Sequence, residues 1–125
     1  MYTKKVLKHF TEPKNAGCMK NADGVGQSGN VRCGDVLRLY IKVKNDKIVD
    51  AKFQTYGCVA AIASSDVLCE LIKGKTLAEA EKVSNKDIVK ALGQLPAVKI
   101  HCSVLGSEAL KKAIADYRKR ATKHL

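Results

Sequence analysis

Two runs of alternating apolar and polar residues, separated by a pair of turn formers, constrain this chain more than any other feature. Across Val36 to Lys44, Leu37, Leu39, Ile41 and Val43 alternate with Arg38, Tyr40, Lys42 and Lys44. Asn45-Asp46 supplies a turn, and Ile48 to Tyr56 alternates again, with Val49, Ala51 and Phe53 expected to point inward. Side chains along a strand point to opposite faces with period two, so the pattern predicts an antiparallel hairpin with one buried face. That face needs a cover, and the rest of the chain reads mostly as helix.

Tyr2, Val6, Leu7 and Phe10 recur at helical spacing, and Pro13 with Gly17 ends that helix. Asn21 to Asn30, with Gly24, Gly26 and Gly29 among polar turn formers, reads as a loop holding a short strand around Val25. Val59 to Lys73 has helical periodicity and stops at Gly74, a good residue just past a helix end. Thr76-Leu77-Ala78-Glu79 has the form of a capping box, and Ser84-Asn85-Lys86-Asp87 is a weaker one. Two short helices follow these caps and end before Leu95-Pro96. The final helix is expected from about Lys99 to about Lys123, with Gly106 inside it costing roughly 1 kcal/mol relative to Ala. The expected fold class is α+β: a small antiparallel sheet of about three strands, helices packed on one face, and a long C-terminal helix. With 125 residues, one domain spanning 1–125 is expected.

The net charge of +11 comes from 23 Lys and Arg against 12 Asp and Glu. With two Phe, four Tyr and no Trp, stacking platforms for bases are scarce, and the cations are spread along the chain. In the last helix Lys111, Lys112, Arg118, Lys119 and Lys123 share a face opposite Leu110, Ala113, Ile114, Tyr117 and Ala121. A solvated helix face explains them first, docking to acidic proteins second, and nucleic acid last. No apolar run reaches the length of a membrane span. The basic opening Met1 to Phe10 reads as a structural helix, so a cytoplasmic, non-membrane protein is expected. Five cysteines, an odd number without a secretion signal, favour reduced thiols in a metal or redox role over a disulfide framework.

Three of these thiols fall at junctions between predicted elements. Cys58 follows a strand and opens a helix, where free N–H groups and the helix dipole stabilise a thiolate. Packing in a tight turn made possible by Gly57 explains it equally well. Cys33-Gly34-Asp35 sets a thiolate and a carboxylate on one loop; by itself, a turn with Asp35 bound to nearby backbone N–H groups explains it slightly better. His101 and Cys102 diverge by about 100° on a helix, so His101 could be a ligand at the rim of a site or a proton acceptor for Cys102. Cys69 lies eleven residues after Cys58, about 16 Å along the helix, too far to share a site, and reads as core. Cys18 reads as an incidental loop thiol. No C-x₂-C occurs, so zinc ribbons and bacterial ferredoxins are excluded. The residues by themselves indicate a three-thiol metal site, metal undecided.

Taken in order, the motifs resemble the IscU family of iron–sulfur cluster assembly scaffolds, which also forms the N-terminal domain of NifU proteins. They run from Val6-x-x-His9-Phe10-x-x-Pro13-x-Asn15-x-Gly17 through Cys33-Gly34-Asp35-Val36 to Phe53-x-x-Tyr56-Gly57-Cys58-x-Ala60-Ala61-Ile62-Ala63-Ser64-Ser65. Lys73-Gly74-Lys75-Thr76, Leu95-Pro96-Ala97-Val98-Lys99-Ile100-His101-Cys102-Ser103 and Ala113-Ile114-Ala115-Asp116-Tyr117 complete the series. The chain departs from the family pattern at Ala97, where a second proline is usual, and at Val59, Asp66 and Gly106. His101 argues against the SufU branch, which carries Lys there. With no cysteine-rich domain following, the stand-alone scaffold is expected.

The resemblance implies that Cys33, Cys58 and Cys102 bind a nascent [2Fe–2S] cluster, with Asp35 or His101 as fourth ligand. It implies Fe²⁺ as the iron during assembly, with Zn²⁺ as a substitute in the same ligands. Sulfur would arrive from a cysteine desulfurase as a persulfide, most plausibly on Cys102. A ferredoxin would supply electrons, and a frataxin-like protein would regulate. Hsp70/J-type chaperones would act on release, although Ala97 weakens that expectation. Acceptor apo-proteins would take the cluster, and a homodimer is a further partner state. The implied role is a scaffold without turnover chemistry of its own. A zinc-stabilised sulfur acceptor ranks second, and a Cys102/His101 thiol enzyme last.

Overall fold

The computed structural model describes residues 4–30, 35–56, 59–93 and 101–123. In chain order these form α1 (Lys4–Thr11), β1 (Gly24–Asn30), β2 (Asp35–Lys44), β3 (Lys47–Tyr56), α2 (Val59–Ile72), α3 (Leu77–Glu81), α4 (Asn85–Leu92) and α5 (His101–Lys123). The sheet has three strands in the order β1-β2-β3, all antiparallel. The expected α+β architecture is what the chain adopts.

The hairpin forms where alternation predicted it. Lys44 pairs with Lys47 across a two-residue turn, and both turn residues take the left-handed conformation, Asn45 at φ 54° and Asp46 at φ 65°. That geometry matches the right-handed twist of the flanking strands, and Asn and Asp tolerate it best after Gly. Leu37, Leu39, Ile41, Ala51 and Phe53 are buried as predicted. Val49 is not: it is 49% exposed, and Ile48 is fully buried instead. A register shift between Lys42 and Val43 explains the exchange. Lys42 pairs with Asp50 while Val43 pairs with Ile48, so Val49 is an extra residue on β3 and inverts the inside–outside order beyond it.

The short strand expected around Val25 within a glycine-rich loop is a full seven-residue strand, β1. Its glycines serve close approach to α5. A Cβ on Gly26 would lie 2.1 Å from the Ala109 carbonyl oxygen and 2.4 Å from the Ala113 nitrogen, and one on Gly24 would lie 2.3 Å from the Ala113 oxygen. The backbone of α5 therefore rests directly on β1, where a side chain would hold it off. Three α5 side chains at four-residue spacing then bind backbone groups of this first segment. Lys112 Nζ donates to the Gln27 carbonyl at 3.1 Å, Asp116 accepts from the Val25 N–H at 2.9 Å, and Arg120 donates to the Ala22 carbonyl at 3.1 Å. Lys112, expected only as part of a solvated face, thus also holds the sheet. Gly106 leaves α5 continuous and lets it sit against Leu68 of α2 and Ile88 of α4.

On the other side of the sheet the segment after α1 runs along β3. The Phe53 N–H donates to the Asn15 carbonyl at 2.9 Å, and the Gly17 N–H donates to the Phe53 carbonyl at 2.8 Å. Of the α1 residues expected inward, Val6 is fully buried while Leu7 is 45% exposed. The tie between this segment and α2 is polar. Asp66 is buried, and one of its oxygens accepts from the Asn15 N–H at 2.9 Å and the Asn15 amide group at 3.0 Å. The other oxygen pairs with His9 Nδ1 at 2.6 Å. Asn15 further donates to Glu70 at 3.2 Å and accepts from Lys73, which also faces Asp50 at 3.8 Å. A buried carboxylate is tolerated because donors surround it.

Two outcomes follow for stability in urea. Gly26→Ala forces a methyl into the α5 backbone and should lose about 3 kcal/mol, whereas Gly106→Ala, meeting only the end of Leu68, should change stability by less than about 1 kcal/mol. Asp66→Ala leaves the Asn15 N–H and His9 Nδ1 without their carboxylate partner, while the Asn15 amide group keeps Glu70, and should cost about 3 kcal/mol, with a loss of hydrogen-exchange protection in α1 larger than in β2.

Candidate metal centre

Of the five residues expected to bind metal, Asp35 is the first residue of β2, and His101 and Cys102 are the first two of α5. Cys33 and Cys58 lie outside the described residues; in sequence, Cys33 is two residues before Asp35, and Cys58 is two after Tyr56, the last residue of β3. Register brings the strand ends together: Asp35 pairs with Asn30, and Val36 pairs with Tyr56.

The start of α5 belongs to the same end of the sheet. Gly24 sits against Ala113 and Tyr117, and Gly26 against Ala109 and Ala113, so α5 runs antiparallel to β1. Two strand residues rise about 6.6 Å, which is about four helix residues at 1.5 Å each. Continuing the four residues from Gly26 to Asn30 consumes about nine helix residues and arrives at about residue 102. The backbone therefore gathers the first residue of β2, the last of β3 and the first turn of α5 at one end, where α2 also begins. Among the described residues, no group of three His, Cys, Asp or Glu side chains is placed to hold a metal ion.

A cleft of about 740 Å³ opens beside this end, lined by Phe10 and Pro13 on one side and by Val36, Arg38, Phe53 and Ile62 on the other. Val36 follows Asp35, and Ile62 lies four residues beyond Cys58. The clamp of Asp66 on His9 and Asn15 fixes the cleft's α1 side, so Asp66 shapes the surroundings of the centre without belonging to it. Composition did not reveal that role. The signal available was a Ser64-Ser65-Asp66 run inside an otherwise apolar helix, which requires buried partners.

The two remaining thiols match expectation. Cys18 is exposed and Cys69 is buried in the core. Burial first, and the neighbouring Asp66 carboxylate second, push the Cys69 thiol far above its ordinary value. It stays protonated at neutral pH and is neither a ligand nor a nucleophile. No helix among the described residues is long and apolar enough to cross a membrane.

Comparison with known proteins gives the family of the chain. The chain is 52% identical over 117 residues to iron–sulfur cluster assembly scaffold protein IscU 1 of Archaeoglobus fulgidus, covering 94% of this chain and 76% of that protein. It is 49% identical over 123 residues to the scaffold protein IscU of Escherichia coli K12, covering 95% of each. Among solved structures, the SUF-system scaffold from Fervidobacterium islandicum AW-1 superimposes with a TM-score of 0.75 at 29% identity, over 90% of this chain and 96% of that one. The model of the NifU-like N terminal domain matches residues 1–124, and the chain belongs to that family.

Proposed function

We propose that this protein is a scaffold on which an iron–sulfur cluster is built and from which it is passed on. The observation that carries the reading is the convergence of the β2 start, the β3 end and the α5 start at one end of the sheet. Two residues of chain span at most about 7 Å, so Cys33 and Cys58 are tethered close to those strand ends. Cys33, Cys58 and Cys102 are the thiolate ligands in this reading, and Asp35 or His101 is the fourth. The names of the relatives, iron–sulfur cluster assembly scaffold proteins, support the same role.

The chemistry follows from the ligand set. A desulfurase presents sulfur as a cysteine persulfide; the Cys102 thiolate attacks its outer sulfur, the S–S bond breaks, and the enzyme's cysteine leaves as thiolate. Bringing two such sulfane sulfurs to sulfide takes four electrons: two come from two Fe²⁺ ions as they become Fe³⁺, and two from two reduced ferredoxins. Combination with Fe²⁺ gives a [2Fe–2S] cluster as cargo, and acceptor apo-proteins take it up. A frataxin-like regulator, Hsp70/J-type chaperones and a homodimeric state belong to the same proposal, as does action in the cytoplasm. A hard carboxylate is a weak partner for a soft cluster iron, so Asp35 as ligand keeps the cluster labile. Lability suits a donor and disqualifies an electron carrier.

Anaerobic reconstitution with iron, cysteine and a cysteine desulfurase tests the assignment through absorbance and iron and sulfide content. Wild type should take up a cluster transferable to an apo-ferredoxin, and Cys33→Ala, Cys58→Ala and Cys102→Ala should each lose it. Wild type that retains zinc and incorporates no sulfide would instead identify a zinc-stabilised sulfur acceptor. Asp35→Ala should lengthen the cluster's half-life several-fold and slow transfer in proportion; an unchanged or shorter half-life removes Asp35 from the labilising role.

A further inference from the structure

At the hairpin end of the sheet, opposite the metal centre, lies a second concave surface that cluster assembly does not use. It is a furrow of about 440 Å³ formed where the end of α2 meets α3 and α4. Its place in the fold is fixed by the hairpin: the Leu77 N–H donates to the Asp46 carbonyl at 3.0 Å, and the Ile48 N–H donates to the Lys75 carbonyl at 2.9 Å. Asp35 and Lys44 bound β2, so nine strand steps, about 30 Å, separate the two ends.

The furrow combines an apolar strip with cations. Leu71, Val83 and Ala91 supply the strip, and Lys75, Lys82 and Lys90 bring ammonium groups from three successive segments. The two carboxylates in the lining are turned back onto their own helices. Glu79 Oε1 accepts from the Thr76 N–H at 3.1 Å and hydroxyl at 3.0 Å, and Asp87 Oδ2 accepts from the Ser84 N–H at 2.9 Å and hydroxyl at 3.3 Å. These capping boxes occupy the acids with backbone donors at the starts of α3 and α4. Lys75, Lys82 and Lys90 make no ion pair among the described residues.

We propose that this furrow docks an acidic segment of a partner protein, with apolar residues interleaved among its carboxylates. Charge complementarity selects the sign: three lysines outnumber the two carboxylates of the lining, whose oxygens are taken up by their own helix starts, on a chain carrying +11. Shape selects a chain segment over a small anion, because an open furrow cannot enclose most of a small ligand's surface as a ligand pocket does. The three lysines also come from three different segments, which suits an extended partner contacting each in turn. Docking here leaves the metal centre free, so the protein can be held by one partner while others load and unload it at the far end.

The test titrates the isotopically labelled full chain with a synthetic dodecapeptide of alternating glutamate and leucine, read by amide NMR shifts. Shifts should cluster on α3, α4 and the end of α2. The triple variant Lys75→Glu, Lys82→Glu, Lys90→Glu should weaken binding at least tenfold, with unfolding unchanged within error and cluster uptake retained. The control variant Lys4→Glu, Lys111→Glu, Lys119→Glu, equal in charge change, should weaken it less than twofold. Equal weakening by the control would reduce the attraction to net charge and overturn the proposal. Undiminished binding of the corresponding glutamine–leucine peptide, or displacement of the peptide by equimolar ATP, would overturn it in favour of a purely apolar or a small-anion site.

Discussion

The contact on which the rest of the structure depends is the one between the α5 backbone and the two glycines of β1. Helices and sheets normally meet through interlocking side chains; here a main-chain surface meets a main-chain surface, with no Cβ between. Such a contact fixes the helix along its axis far more tightly than a greasy interface, because carbonyls and amides meet at set intervals. Lys112, Asp116 and Arg120 reinforce that setting by bonding to successive backbone groups of the strand segment. Since His101 and Cys102 open the same helix, the glycines that fix its position also decide where its first turn ends up.

The two halves of the molecule are therefore organised differently. One end of the sheet collects the start of β2, the end of β3 and the start of α5, and the clamp of Asp66 on His9 and Asn15 holds α1 as a wall beside them. The other end is closed by the hairpin and by α3 and α4, whose first turns are set by reciprocal caps. Nine strand steps of β2 separate the two ends, so the proposed centre and the furrow lie at opposite ends of one sheet.

Much of this was legible in the sequence, for physical reasons that differ by element. The hairpin was readable because alternation and a turn that tolerates left-handed residues report the same thing. β1 was readable only as a short strand around Val25, since glycine carries one letter for two functions: freedom to turn, and absence of bulk where another backbone must pass. Val49 was misplaced because a single extra residue inverts every face beyond it, and no local pattern announces a bulge. The candidate ligands were legible as residue types at junctions, and the family resemblance gave them their expected roles. That the β2 start, the β3 end and the α5 start lie at one end of the sheet depends on register and on the seating of α5, which the sequence does not display. Asp66 stood out as a departure from the family pattern, but its three donors come from residues more than fifty positions away.

A three-stranded sheet exposes two edges, and each edge is a row of unpaired amides able to recruit a strand from another molecule. Among the described residues, both edges are met at several points by other parts of the chain. The β1 edge is occupied by side chains of α5, while that of β3 is paired with Asn15 and Gly17 near its far end and with Gly74 and Lys75 near the hairpin. The sheet is thereby shielded from growing into polymers by groups that belong to the fold rather than to any cargo. Edge protection of this kind comes from the chain's own backbone and side chains, so it does not depend on anything the protein binds.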